Sequence, residues 1–354
     1  MDGVDVALIE SDGETVTLFG PSGYRPYSDD ERKVLRQSLA DALAIAGRTE
    51  RPGVLADAER LITTAHAEAL EQFLIARNIA RDSIDVIGFH GQTVLHRPDQ
   101  RLTVQIGDGA SLAKAAKIPV VYDLRAADVA AGGQGAPLVP VFHRALARAL
   151  DGDGPTCFVN IGGVANITYM HGDRPLIACD TGPGNALLDD FMLKTTGHAV
   201  DRDGALAAAG KVDEAWVQDA LKMPFFDQPP PKSLDRNHFA AKILPDFPPA
   251  DGAATLTALT AASIARIVPL LPQAPTAWVV VGGGANNPTL MRMLRERLSP
   301  VTVETAAERG WQGDSIEAQA FAFLAIRSLK GLPLTYPQTT GAPAPLTGGV
   351  LAKP

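Results

Sequence analysis

Residues 160–185, NIGGVANITYM followed by HGDRP and LIACDTGPGN, gather residue types that can move a phosphoryl group. Cys157, Phe158 and Val159 lead into Gly162-Gly163, and an alternating strand resumes over 164–170. HGDRP reverses the chain, and 176–179 reads as a second strand ending on Asp180. A glycine pair between strands lets backbone approach a bulky anion, because no Cβ intervenes and positive φ is free. A carboxylate such as Asp180 can then accept a proton from an attacking hydroxyl or water as the phosphoryl group moves. The competing role for Asp180 is an N-cap on a helix starting near Ala186. Thr181-Gly182-Pro183-Gly184-Asn185 is, however, a more elaborate turn than a cap requires.

Two further turns have the same character: Asp2-Gly3-Val4-Asp5, and Gly282-Gly283-Gly284-Ala285-Asn286 after the apolar run 278–281. No GxxxxGK[ST] loop is present, and no GxGxxG opens a helix after a strand. A phosphate held between two domains needs donors from both, and the third turn suits a nucleoside edge near a helix start. His90-Gly91-Gln92-Thr93 and Asp123-Leu124-Arg125 each end a strand, and such ends share a cleft in open α/β sheets. Gln105-Ile106-Gly107-Asp108 and the flexible loop 132–137 add hydrogen-bonding groups, a set suited to a neutral or acidic sugar. His96, His143 and His198 have no partners at metal-ligand spacing and read as structural or surface residues. There is no G-x-S-x-G elbow and no Ser-His-Asp order.

The elements that must position these residues alternate between strand and helix. A hairpin over 4–9 and 15–19 turns on Asp12-Gly13. Helices follow over 29–46, with Ser28 as N-cap, and over 56–79, with Leu61, Ala65, Ala69 and Phe73 at helical spacing. Short buried strands fall at 84–89, 102–106 and 118–121. After DGDGP at 151–155 come the central hairpin and helices over 186–195 and 212–221. A proline-rich loop at 224–231 runs into SLDRNHF, then helices over 255–271, 287–298 and 314–329, with a strand at 278–281. The tail from Gly331 reads as irregular. The fold class is α/β, with one domain over 1–130 and a second over 131–354 whose tail packs back on the first.

At 354 residues the chain is long for one core. It is 46% hydrophobic and 20% charged, as globular domains are, and its net charge of −8 comes without a Lys/Arg block, which argues against nucleic-acid binding. No apolar run approaches a membrane span in this reading, and the first residues carry no basic export-type segment. Cys157 and Cys179 sit in apolar strand patterns, as buried reduced thiols of a cytoplasmic protein do.

Together NIGGVANITY, CDTGPGN, FHGQT, QIGD, DLRAADVAAGGQGAPLVP, VVVGGGANNP and GDSIEAQAFAFLA resemble the anhydro-N-acetylmuramic acid kinase family over nearly the whole chain. The resemblance implies a two-domain actin-like (ribonuclease H-like) ATPase fold hinged around a nucleotide cleft. It implies that ATP phosphorylates O6 of 1,6-anhydro-N-acetylmuramic acid while water opens the anhydro bridge, a step of cell-wall recycling. Asp180 would be the base. His90, Gln92, Thr93 and Arg125, with Gly182 and Asn185, would meet the sugar. Asp2, Gly3, Asp5, Gly162, Gly163 and Asn166 would cradle phosphates, and Gly282, Gly283, Gly284 and Asn286 would face the adenosine. Mg²⁺ is expected on the phosphates, largely through water rather than a protein metal site. The family also suggests a homodimer.

One departure stands out. The family's first turn reads GTSMDGVD after a strand, and this chain begins at Met1-Asp2-Gly3-Val4-Asp5. The Gly-Thr-Ser and the leading strand are therefore expected to be missing, as a start codon assigned too far downstream would leave them. Backbone groups left unpaired beside a lost strand cost roughly 1–3 kcal/mol each where buried. Against the anhydro-sugar kinase stand two alternatives: another sugar kinase or phosphatase of the same fold, and a nucleotide-gated protein without catalysis. An intact Asp180 argues against the last.

Overall fold

The computed structural model describes residues 3–148, 150, 154–233, 246–311 and 313–354. Asp2 and residues 234–239 of the SLDRNHF segment lie outside the described residues. The chain divides into two α/β units, one of Met1–Ala149 with Ser315–Pro354, the other of Leu150–Asp314.

The first unit opens with an antiparallel hairpin, β1 (Gly3–Ser11) and β2 (Val16–Pro26). Its turn is fixed by Asp12, whose carboxylate accepts the N–H groups of Glu14 and Thr15. Asp2-Gly3-Val4-Asp5 was expected as a turn, yet from Gly3 onward the chain is strand, with Gly3 paired to Pro26 and Asp5 to Tyr24. The partner strand beside it holds this stretch extended. Helix α1 (Asp29–Asp41) starts at Ser28, where a capping box with Glu31 satisfies backbone N–H groups at both positions. Helix α2 (Leu55–Ala76) buries Leu55, Ala58, Ile62, Ala65, Ala69 and Phe73, the expected stripe slightly extended.

Then come β3 (Ile87–Gly88), the antiparallel pair β4 (Gln92–Arg97) and β5 (Leu102–Ile106), α3 (Gly109–Ala116), β6 (Val120–Tyr122), α4 (Ala126–Ala131) and α5 (Pro140–Ala147). β3 is much shorter than the apolar run 84–89 and lies parallel to β6. Among the described residues β1 hydrogen-bonds only to β2, and β3 only to β6 and not to β1.

The second unit is built on β7 (Thr156–Ile161), β8 (Val164–Met170) and β9 (Ile177–Pro183). Helices α6 (Ala186–Thr196), α7 (Ala205–Ala209), α8 (Glu214–Ala220) and α9 (Pro249–Ala265) follow, then β10 (Ala277–Val281), α10 (Pro288–Leu298) and β11 (Thr302–Thr305). The sheet order is β11-β10-β7-β8-β9, with β10 parallel to β7 and β11, and β8 antiparallel to both its neighbours. The chain ends of β7, β9 and β10 therefore emerge on one edge, where ligands bind in sheets of this kind.

Cys157, Val159, Ile161, Ala165, Ile167 and Cys179 face the core, packed with Ala258, Leu259 and Ala262 of α9 and Leu290 and Leu294 of α10. The apolar segment Pro249–Leu270 is long enough to cross a membrane by length and composition, which the run-by-run reading missed. Every residue from Gly252 to Ile264 is buried, so its apolar length serves the core of this unit.

From Ser315 the chain returns to the first unit as α11 (Ile316–Leu329), α12 (Pro337–Thr340) and β12 (Val350–Ala352). The tail, expected as irregular, thus adds a strand antiparallel to β6. The units part at 149/150 rather than 130/131, because α5 is held by α11: the rings of Phe142 and Phe323 lie 5.5 Å apart. The glycine loop 132–137, expected to be flexible, is tied down. Buried Asp128 accepts the N–H of Gly135 at 2.6 Å and the hydroxyl of Thr340 at 2.7 Å, and the N–H of Gln134 donates to the Thr340 carbonyl at 2.7 Å. Removing the carboxylate orphans a buried amide, so Asp128→Ala is expected to destabilise the chain by about 3 kcal/mol, read as a lower denaturant midpoint.

Candidate active site

In the second unit, β7 and β8 are joined by Gly162-Gly163, with Ile161 opposite Ala165. Three N–H groups from the end of β9 close on this turn: Asn185 donates to the Gly162 carbonyl at 2.7 Å, and Gly184 and Ala186 to the Gly163 carbonyl at 3.0 and 3.2 Å. The Asn185 side-chain amide donates to the Ile161 carbonyl at 3.3 Å. Only glycine fits at 184, since a Cβ there would stand 2.2 Å from the Gly162 oxygen. The opposite side of the turn is open: a Cβ on Gly162 would meet nothing nearer than 3.8 Å, and one on Gly163 nothing nearer than 3.6 Å. This is the open backbone that an incoming phosphate needs.

The third turn arrives beside the first. Val281 is in register with Asn160, and Gly282 has a φ of +79° with its missing Cβ 2.3 Å from the Asn160 carboxamide oxygen. Asn286 is exposed at the end of a short 3₁₀ turn. Asn287 caps α10, accepting the Leu290 N–H at 3.0 Å.

Asp180 does not cap a helix. β9 runs on through Pro183, past the expected strand end, and the N-cap position of α6 is Asn185. The register places Asn160, Asn166 and Asp180 opposite one another across β7, β8 and β9. All three are partly exposed, on the face away from the core residues that alternate with them. The ladder slips between Asp180 and Gly182, leaving Thr181 as the extra residue of a bulge. Bulges of this kind re-aim side chains beside functional sites. Among the described residues β9 is an edge strand, and on that side the Asp180 N–H donates to the Lys232 carbonyl at 2.9 Å.

The first unit gathers the residues expected at the sugar. Arg125 Nη2 lies 3.1 Å from His90 Nε2, and Arg125 Nη1 donates to the Gly135 carbonyl at 2.9 Å. Phe321 of α11 packs on both, its ring centroid 4.4 Å from that of His90 and 6.0 Å from the guanidinium carbon. Gln105 donates to Thr93 Oγ1 at 3.3 Å, and Gln92 to the Thr93 carbonyl at 3.2 Å. Gln105 Oε1 and Arg125 Nε are buried without a hydrogen-bond partner among the described residues. Orphaned polar atoms of this kind mark where a polar ligand would be recognised. A groove of about 1000 Å³ in this unit is lined by β1, β3, α2 and α11, with Asp5, His90, Gln92 and Glu317 on its walls.

Burial first, and then the Arg125 charge, push the His90 pKa down to about 3, so its imidazole is neutral and Nε2 can accept from the guanidinium. His66 of α2 is pushed down to about 4 by burial, its Nδ1 2.7 Å from the Ile62 carbonyl. Burial also lowers the Arg125 pKa, and Glu317, in the first turn of α11, opposes that shift.

A family model described as anhydro-N-acetylmuramic acid kinase matches residues 1–353. The chain belongs to the anhydro-N-acetylmuramic acid kinase family. Relatives bearing that name in Nitrobacter winogradskyi and Rhodopseudomonas palustris (strain BisB18) are 64% and 65% identical to it, over 100% of this chain and 97% of each relative. A third, in Methylobacterium nodulans, is 54% identical over 100% of this chain and 97% of its own length. A solved structure of a 2-hydroxyisocaproyl-CoA dehydratase activator from Clostridium difficile with bound ADPNP aligns with 93% of this chain and 96% of its own, at 13% identity and a TM-score of 0.42.

For this family member, the structure brings Gly162, Gly163, Asn166, Asp180, Gly182, Asn185, Gly282, Gly283, Gly284 and Asn286 into one unit, and Gly3, Asp5, His90, Gln92, Thr93 and Arg125 into the other. Asn160, Lys232, Glu317 and Phe321 were missed as site residues. Asn160 ends an apolar strand just before a glycine pair, a signal that was legible. Glu317 and Phe321 were legible as an i,i+4 pair on α11, but their meeting with His90 and Arg125 is a tertiary event.

A histidine depressed this far is neutral when folded and binds a proton more readily when unfolded. Its stabilising contribution is therefore present above the ordinary histidine pKa of about 6.5 and is lost as pH falls toward about 3. His90→Gln is expected to flatten the acid limb of the stability–pH curve in that window. In the parent protein, the His90 ring resonances should stay constant from about pH 5 to 8.

Proposed function

We propose that Asp180 is the base of an ATP-dependent anhydro-N-acetylmuramic acid kinase, beside a phosphate cradle of Gly162, Gly163 and Asn166, with Gly182 and Asn185 toward the sugar. The activity is that of the family: 1,6-anhydro-N-acetylmuramic acid, ATP and water give N-acetylmuramic acid 6-phosphate and ADP. The observation that carries the assignment of the base is the cross-strand row Asn160, Asn166 and Asp180, which runs up to the two clamped glycine turns.

Water adds its oxygen to C1 of the sugar and gives its proton to Asp180. The C1–O6 bond breaks, and O6 forms its new bond to the γ-phosphorus of ATP as the β–γ bridging oxygen leaves with ADP. One carboxylate serves both events, as the base of an inverting glycosidase does. The phosphoryl group takes the place of the proton on the leaving oxygen, so no second carboxylic acid is required. The open backbone of Gly162 and Gly163 receives the phosphates, and Gly282, Gly283, Gly284 and Asn286 lie along the nucleoside. His90, Gln92, Thr93 and Arg125 hold the sugar, the guanidinium suiting the lactyl carboxylate of a muramic acid.

Among the described residues no three His, Cys, Asp or Glu side chains gather as a metal cage. A magnesium ion carried in by ATP dehydrates reluctantly, so it would keep most of its shell as phosphate oxygens and water, and would neutralise charge on the transferring group.

Incubation with ATP, Mg²⁺ and the anhydro sugar should give a product heavier by one phosphoryl group and one water, seen by mass spectrometry. Asp180→Asn should lower kcat by about a thousandfold while leaving nucleotide affinity unchanged. Full turnover by Asp180→Asn would remove Asp180 from the mechanism.

A further inference from the structure

We propose that Lys232 is a positioning residue for the reaction: its side chain anchors the backbone carbonyl that fixes Asp180 at the edge of the sheet. The proposal rests on the assignment of Asp180 as the base.

Asp180 lies beside a bulge, on the strand that ends the sheet order. Among the described residues β9 has a partner strand only on the β8 side, and the ladder with β8 slips immediately after Asp180. Asp180 donates its N–H to the Lys232 carbonyl, at 2.9 Å, on the side away from β8. Among the described residues Lys232 follows the proline-rich connection 229–231 and lies in no strand or helix. The Lys232 side chain supplies a hold. Its ammonium donates to the Phe225 carbonyl at 2.9 Å and the Phe226 carbonyl at 3.4 Å, and lies 4.6 Å from the Phe225 ring centroid. Phe225 and Phe226 are both buried in the core of the second unit.

The chain of contacts therefore runs from the core, through a half-buried ammonium, to the amide of the base. The ammonium is held both by hydrogen bonds to two carbonyl oxygens and by attraction to an aromatic face. A water-activating carboxylate must hold its oxygen in line with C1 and the breaking bond. A displacement of about 1 Å is enough to cost on the order of a hundredfold in rate.

The test uses the full chain with ATP, Mg²⁺ and the anhydro sugar. Lys232→Met is expected to lower kcat by about ten- to a hundredfold while the KM for ATP stays within about twofold. In an Asp180→Asn background the same substitution should change kcat by less than about twofold, since the group it positions is gone. Lys232→Cys alkylated with 2-bromoethylamine regrafts an ammonium at nearly the original reach and should restore most of the kcat. Cys157 and Cys179 are buried, and burial pushes both thiols up, so they stay unmodified.

Unchanged kcat in Lys232→Met would overturn the proposal. So would a loss of equal size in the Asp180→Asn background, or no rescue by the regrafted ammonium. Full activity in Asp180→Asn alone would overturn the base itself, which separates that failure from this one.

Discussion

The carbonyl oxygens of Gly162 and Gly163 accept three N–H groups from residues 184–186, and this short weld ties the β7–β8 turn to the end of β9. Each bond is worth only about 1 kcal/mol net, yet the contact needs two turns without side chains between them. Gly184 meets the Gly162 oxygen where a Cβ would stand, and Gly282 meets Asn160 in the same way. With their inner sides consumed by this packing, the turns present open backbone outward. The weld also fixes the end of β9, and so the row in which Asp180 stands opposite Asn166. The proposed phosphate cradle and the proposed base thus share one close approach of backbone.

The first unit solves a different problem, which is to keep polar groups ready in a poorly hydrated place. An imidazole kept neutral by burial can sit 3.1 Å from a guanidinium without repelling it. Phe321 covers both, and the Glu317 carboxylate offsets part of the desolvation of Arg125. What remains unpaired, Arg125 Nε and Gln105 Oε1, is the part of the set that a polar sugar would satisfy.

Much of this was legible in the sequence wherever the signal was local. The glycine turns, the Ser28 cap, the stripe of α2 and the start of α10 follow from turn chemistry and period, and the structure has them within a few residues. The misses share a cause, which is tertiary pairing. Gly3 to Asp5 read as a turn but lies extended against β2, and Asp180 read as a strand end although β9 continues through a bulge. The tail read as irregular because nothing in 350–352 announces β6 as a partner. Asp128 could not be seen to pin the glycine loop 132–137, since Thr340 is distant in sequence. Lys232 was invisible for the same reason: its meaning lies in the carbonyls it meets.

The central claim is that one carboxylate couples water attack at C1 to phosphoryl transfer onto O6. It is tested most directly by running the reaction in heavy-oxygen water, reducing the product with borohydride, and locating the label by fragment mass spectrometry. One heavy oxygen is expected on C1 and none in the phosphoryl group. Label in the phosphoryl group, or a phosphorylated product that carries no label on C1, would contradict it.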